Sequence, residues 1–231
     1  NAFTEIIPGL RYLDCVSGAC VYDLKEKKTL YSQALDPGIV KKLMEFALEE
    51  EAMIHVLSEH SIVQRDQQSH MADFHMGIYQ TMFDKITDKL ENIYNSFCQE
   101  PFPVLKLNLY HKDEYSRART VERIKAAGLE HALALAESTS LECSAKGIDK
   151  GVGLKKLCEH LGLPLEQTIA VGDADNDTMA LKTAGLSIAM GNATEPVKAL
   201  ADVIVADCDH NGCAEAIDKY LLAENRPQKP V

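Results

Sequence analysis

A chain of 231 residues is long enough to bury a substantial core, as one large domain or two small ones, and 46% hydrophobic with 26% charged residues excludes the disordered and fibrous classes. Lys+Arg 24 against Asp+Glu 35 leave a formal charge of -11, which speaks against a nucleic-acid partner, because affinity for a phosphate backbone rests on basic neutralisation. A small phosphorylated ligand is not excluded, since a bound metal ion can invert the local field.

From the N-terminus, Leu13 to Asp23 (L-D-C-V-S-G-A-C-V-Y-D) followed by Thr29 to Ser32 reads as a strand and hairpin turning at the charged Lys25 to Lys28. Asp36-Pro37 opens a helix with Val40, Leu43, Met44 and Ala47 on one face, Asp36 as N-cap and Pro37 in the first helical position. Met53 to Leu57 is a strand, residues 76–97 carry mixed helical periodicity, and Val104 to Tyr110 alternates as a strand. Asp113 to Ala127 is a helix, with Leu133 to Ala136 and Ser140 to Cys143 as closing strands. The His and Met cluster from His70 to Met76 reads as a loop of mixed packing, and Tyr79, Tyr94 and Tyr110 as packing residues rather than ligands.

From Lys150 the pattern becomes regular. A helix from Gly151 to His160 stops at Gly162, and the strand Thr168 to Val171 ends in Gly172. A helix from Asp177 to Thr183 closes at Gly185, the strand Leu186 to Met190 ends at Gly191-Asn192, and a helix from Glu195 to Ala201 leads into the strand Val203 to Val205. A last helix runs from Cys213 to Leu222, followed by a loose tail from Asn225 to Pro230. Alternation at this spacing means βαβ units and a parallel sheet, whose ligands sit beyond the carboxyl ends of the strands. The seven Cys are odd in number, never form C-x-x-C, and read as reduced thiols, mostly small core residues. No two His have H-x-x-x-H spacing, so zinc is not expected.

The strongest constellation is Gly172-Asp173-Ala174-Asp175-Asn176-Asp177, directly after a strand. Acid and amide side chains at four of five positions are more than a helix N-cap requires, and hard oxygen donors crowded into one loop suit Mg²⁺. An EF-hand is rejected, because Thr178 stands where Gly is needed, Ala184 where the last acid is needed, and no helix precedes the loop. The strand Val203 to Val205 followed by Asp207-Cys208-Asp209 also ends in D-x-D, and reads as a turn in which Asp207 or Asp209 caps the final helix.

Three segments in order carry a resemblance: K-G-V-G-L-K-K-L from Lys150, T-I-A-V-G-D-A-D-N-D-T-M-A-L from Thr168, and A-M-G-N-A-T-E-P-V-K-A-L-A-D from Ala189. Together they resemble the C-terminal half of Cof-type haloacid dehalogenase-like hydrolases. The resemblance implies a Rossmann-like parallel-sheet core with an inserted α+β cap: residues 1–35 core, 36–141 cap, 142–231 core with the metal and phosphate motifs. It implies a Mg²⁺-dependent phosphatase of small phosphorylated metabolites, and the reduced cysteines point to a cytoplasmic protein. Lys150 would bind the phosphoryl group, Asp173 would coordinate Mg²⁺, and Asn176 would touch phosphate or a metal-bound water. Asp177 would hold Lys150 and the metal waters, while Gly191-Asn192 would form a supporting, substrate-side loop. Lys146 is a rival to Lys150, which is favoured because the helix starts directly after it. The family's Asn-Gly-Ala strand end is matched by Ser17-Gly18-Ala19, with Ser17 in place of Asn as a small turn residue.

The family's chemistry also calls for an N-terminal D-x-D-G-T, with the first Asp as nucleophile and the second as general acid. Nothing before Asp14 supplies it, and Asp14-Cys15-Val16-Ser17-Gly18 has Val16 where the second Asp would stand. The expectation is that the natural protein carries this segment upstream of Asn1, and that the nucleophile lies outside these residues. A non-catalytic domain that keeps the metal loop and a phosphomutase are the competing functions.

Overall fold

The structure, a computed structural model, describes residues 7–129, 133–135 and 138–223. The tail from Asn225 to Pro230 and residue Ala136 lie outside them. The chain divides into two compact units, one formed by the segments up to Ser32 and from Asp149 onward, the other by Gln33–Ile148.

It opens with an antiparallel sheet of β1 (Tyr12–Cys15), β2 (Cys20–Asp23) and β3 (Lys28–Ser32). The apolar run from Leu13 to Asp23 is broken because Val16, Ser17 and Gly18 take φ values of 54°, 56° and 90°, which reverses the chain. A β-branched residue in this region is uncommon, and the left-handed conformation costs it roughly 1–2 kcal/mol. Gly18 is obligatory for a second reason: a Cβ there would lie 1.9 Å from the Asp149 carbonyl oxygen. At the other end, buried Asp23 accepts from Arg11 Nη2 at 2.8 Å and from the N–H of Lys25 and Glu26. The Arg11 hydrogen bond leads in holding the Asp23 pKa down, to about 2.

In the second unit, α1 (Pro37–Glu49) starts where Asp36 Oδ1 accepts from Gly38 N at 2.8 Å and Ile39 N at 3.2 Å, and buries Val40, Leu43, Met44 and Ala47. Then come β4 (Met53–Leu57), β5 (Ser61–Gln64), α2 (Arg65–Ser69), α3 (Gln80–Ile86), β6 (Thr87–Leu90) and α4 (Ile93–Gln99). The unit closes with β7 (Lys106–Tyr110), α5 (Glu114–Ala126), β8 (Leu133–Leu135) and β9 (Ser140–Ser144). They form a six-stranded sheet in the order β6-β5-β4-β7-β9-β8, in which β5 and β6 run parallel and the other neighbours antiparallel. One face packs Ile54, Val56, Leu107, Leu109 and Leu141 with Leu43, Met44, Ile93 and Ile124. The other buries Met53, Val63 and Tyr110 under Met71, Phe74, Met76 and Phe83, so the His70 to Met76 stretch supplies core residues. Each such side chain taken fully from water is worth about 1.5–3 kcal/mol.

The chain then returns to the first unit through α6 (Lys150–Leu161), which ends at Gly162 with φ 64°. Next are β10 (Ile169–Gly172), α7 (Thr178–Thr183), β11 (Leu186–Ala189), α8 (Glu195–Leu200) and β12 (Val203–Ile204). β10, β11 and β12 form a parallel sheet in chain order, so the protein has an α/β fold, a parallel-sheet unit interrupted by an α+β one. Two expectations are corrected. Asp207 does not cap the final helix; it accepts from Asp209 N and His210 N in a separate turn, and α9 (Gly212–Ala216) starts only after Asn211, at φ 60°. Nor are the cysteines mostly core: Cys143 and Cys158 are buried, Cys98, Cys208 and Cys213 are exposed, and Cys15 and Cys20 lie between, all seven free. Among the described residues no helix is long and apolar enough to cross a membrane.

Candidate functional site

The loop after β10 stands at the carboxyl end of the parallel sheet, where such sheets hold their ligands. It is organised around Asp177, which is buried at 9% exposure. One carboxylate oxygen, Oδ2, accepts from the N–H of Asp173 at 3.0 Å and Ala174 at 3.2 Å, and Oδ1 takes the Lys150 ammonium at 2.5 Å. Burial works to raise the Asp177 pKa, but the Lys150 hydrogen bond and the two backbone donors outweigh it, so the net shift is downward. Lys150 arrives from the first position of α6, whose start is fixed by Asp149 accepting from Gly151 N and Val152 N.

Asp173, exposed in the same loop, takes the Asn192 side-chain amide on Oδ2 at 3.0 Å, and Asn192 in turn accepts from Cys208 N at 3.0 Å. Lys150, Asp177, Asp173 and Asn192 are thus joined in one run of hydrogen bonds, from α6 through the β10 loop to the loop after β11. Asn176 is exposed in the same turn and stands outside that run, while Lys146 lies in an exposed turn before α6.

Beside this run is a cavity of about 320 Å³, lined by Lys150, Asp177, Asp14, Ser17 and Gly18, with Leu154, Ile169 and Ala170 as its apolar wall. Asp14 was not among the sequence candidates. Its carboxylate lies over Gly153, where a Cβ would meet Oδ1 at 2.0 Å. Loss of hydration raises its pKa to about 6, with Lys150 pulling it down and Asp149 pushing it further up. In Y-L-D-C it is the exposed residue, so no hydrophobic pattern marked it, and only the fold brings it beside Lys150. Ser17 was read as a turn residue, and it both forms the turn and lines the cavity. Asp207, the D-x-D at the end of β12, spends its Oδ1 on Asp209 N, His210 N and the His210 ring.

The arrangement presents an ammonium, a carboxylate held beside it, and a second, outward-facing carboxylate steadied by an amide. Such a set has the chemistry to take an anionic oxygen on Lys150 and a hard cation on Asp173. Among the described residues no three His, Cys, Asp or Glu side chains converge on one point, so a cation on Asp173 would draw most of its ligands from water and from the bound anion. Mg²⁺ has this habit, and neither His nor Cys is needed for it.

The second unit has a cavity of its own, about 290 Å³, with His55, Asn108, Tyr110 and Glu142 as polar lining and Met76, Met82 and Phe83 as apolar lining. Among the described residues, His55 Nδ1 and Asn108 Oδ1 are buried there without a hydrogen-bond partner. Burial, and then Lys106, lowers the His55 pKa to about 4, so the ring is neutral.

The profile of the haloacid dehalogenase-like hydrolases matches residues 3–217. The Bacillus subtilis (strain 168) phosphatase YwpJ is 43% identical over 83 residues, 36% of this chain and 29% of that protein. The 5-amino-6-(5-phospho-D-ribitylamino)uracil phosphatase YcsE of the same strain is 36% identical over 118 residues, 51% of this chain and 47% of that protein. The chain therefore spans less than half the length of these curated relatives. A crystal structure of a haloacid dehalogenase-like hydrolase from Bacteroides thetaiotaomicron superposes with a TM-score of 0.74 at 27% identity, over 90% of this chain and 75% of that one.

Proposed function

Because the chain belongs to the haloacid dehalogenase-like hydrolases, we propose that it forms the metal- and phosphate-binding part of a Mg²⁺-dependent phosphatase acting on small phosphorylated metabolites. The observation that carries this reading is the Lys150–Asp177 pair bonded through the loop to Asp173 and Asn192 at the carboxyl end of β10 and β11. Phosphoryl transfer depends chiefly on position and on neutralising the equatorial oxygens, and Lys150 supplies a cation already fixed in place. Asp173 would hold Mg²⁺, with Asn192 orienting the carboxylate. Both Asp177 oxygens already have partners, so Asp177 serves by holding Lys150 and by accepting from metal-bound waters. Asn176, exposed in the same loop, would meet a phosphate oxygen or one of those waters. Bound Mg²⁺ supplies charge neutralisation at the phosphoryl oxygens. The attacking carboxylate, which would carry the aspartyl-phosphate, is not among these residues.

Phosphate release from a panel of small phosphate esters by the protein purified from its native source tests this. Turnover should require Mg²⁺, vanish with chelator, and fall about 10²–10³-fold in Lys150→Ala and in Asp173→Asn. A second reading is a domain that binds metal and phosphate without catalysis, for which Lys150 and Asp173 would suffice. Calorimetric binding of inorganic phosphate with Mg²⁺, and no turnover across the panel, would establish that reading instead.

A further inference from the structure

We propose that Cys15 and Cys20 are an oxidation site, a thiol pair that hydrogen peroxide converts reversibly to a disulfide at the base of the turn beside Lys150. The two residues are directly opposite one another in the antiparallel register of β1 and β2, so their side chains share a face of the sheet. Opposed residues of such a pair have Cα atoms about 4.5–5.5 Å apart, inside the roughly 4.4–6.8 Å window of disulfides. Cys15 Sγ already lies over its partner, donating to the Cys20 carbonyl oxygen at 3.5 Å. Both thiols are part-buried, accessible to a small oxidant yet held in position, whereas Cys143 and Cys158 are buried.

Contact between the thiols pushes the Cys15 pKa up and pulls that of Cys20 down, and the step is written with Cys20 as the attacking sulfur. Its thiolate displaces water from hydrogen peroxide after protonation of the leaving oxygen, giving a sulfenic acid. Cys15 sulfur then attacks the Cys20 sulfenic sulfur, its proton leaves with the departing hydroxyl as a second water, and the S–S bond forms. Two electrons pass from the two thiols to the peroxide.

The bond would be felt nearby. It closes the base of the turn at Val16, Ser17 and Gly18, whose φ values are all positive, and Gly18 is pressed against the backbone of Asp149. Asp149 caps the helix that begins at Lys150. Drawing the sulfurs to about 2.05 Å therefore shifts a turn that abuts the Lys150 helix start. The inference depends on thiol geometry and stands whether or not the protein is a phosphatase.

Peptide mapping after peroxide treatment and alkylation of the folded protein tests it. Trypsin releases Tyr12 to Lys25, which should be two hydrogens lighter and lack both alkyl groups, and dithiothreitol should restore both. In Cys15→Ser a 1,3-diketone probe should trap a sulfenic acid on Cys20, and in Cys20→Ser Cys15 should remain alkylatable. Amide resonances of Asp149 and Lys150 should move on oxidation. Two alkylated cysteines in that peptide after exposed Cys98 and Cys208 have oxidised would overturn the proposal. Equal oxidation in urea-unfolded protein would remove the hairpin's part in it, and unmoved resonances would remove the coupling to Lys150.

Discussion

Replacing Lys150 by Met and Asp177 by Asn, singly and together, isolates the ion pair on which the site is built. The ammonium and carboxylate are 2.5 Å apart, with side-chain exposures of 36% and 12%. A hydrogen bond between charged groups contributes about 1.5–3 kcal/mol when shielded. Exposure of the lysine end brings the expected coupling to the bottom of that range or below it, about 1–2 kcal/mol at pH 7. Lys150→Met alone should cost about 2 kcal/mol, since Asp177 keeps its two backbone donors but loses its counter-charge. The pH sign follows from the depressed Asp177 pKa: its stabilisation is present above the unfolded carboxyl value of about 3.9 and is lost as pH falls through the lower folded value. The penalty of Lys150→Met should therefore shrink toward the acid end of the range in which the fold persists. Urea unfolding of the four proteins across pH, with the midpoints combined as a double-mutant cycle, measures both quantities. A coupling within about 0.3 kcal/mol of zero at pH 7, or a Lys150→Met penalty that ignores pH, would refute the reasoning.

Asp14 should behave oppositely, because its folded pKa of about 6 lies above the unfolded one. Stability is lost as pH rises from about 4 to 6, and after solvent screening Asp14→Asn should recover about 1 kcal/mol at pH 7 and flatten that part of the urea-midpoint profile. His55, 7% exposed, has a pKa lowered to about 4, so its contribution holds above the unfolded value near 6.5 and is lost as pH falls from there to 4. That is about 3 kcal/mol in acid, and His55→Gln should suppress it in hydrogen-exchange protection of β4 and β7. Gly18→Ala meets both a φ of +90° and the Asp149 backbone at 1.9 Å, whereas Gly128→Ala meets only a φ of +69°. Thermal unfolding should show the first losing more than about 3 kcal/mol and the second about 1 kcal/mol; similar losses would mean that the turn shifts without cost.

The parts of the fold legible in the sequence are those where one residue both ends an element and has a local reason to be there. Gly162 closes α6 in the left-handed region, and Asp36 with Pro37 starts α1 through two backbone donors. The β10 loop was legible because no packing role explains four oxygen-bearing side chains in so short a stretch. What escaped depends on partners far along the chain. Strand β6 reads T-D-K-L, with a single strongly apolar residue, and becomes a strand through its pairing with β5. Lys106 and Asn108 alternate with leucines as if solvent-facing, yet both are buried, Asn108 beside Phe83 and Met76 and Lys106 on Glu142 at 2.6 Å. The break at Val16 to Gly18 is invisible to hydrophobic pattern, because Val16 is a strand former that here takes a positive φ. Asp14 escaped for the same reason, a carboxylate placed by its fold rather than by any motif.

The first unit is written in two instalments, and this sets an order on folding. The opening hairpin packs against α6, with Lys156 over the Tyr31 ring at 5.8 Å and His160 against Tyr12 at 6.3 Å, but all of Gln33–Ile148 lies between them in the chain. Bringing two ends together across a flexible loop of that length costs on the order of 4 kcal/mol in chain entropy. A short antiparallel sheet without a partner layer cannot meet that cost alone. The inserted unit has its own buried core and is complete before Asp149 is synthesised. Folding should therefore run from the middle outward: the insert condenses while the hairpin waits, and a change deep in the insert slows the assembly of a Lys150 site that it does not touch.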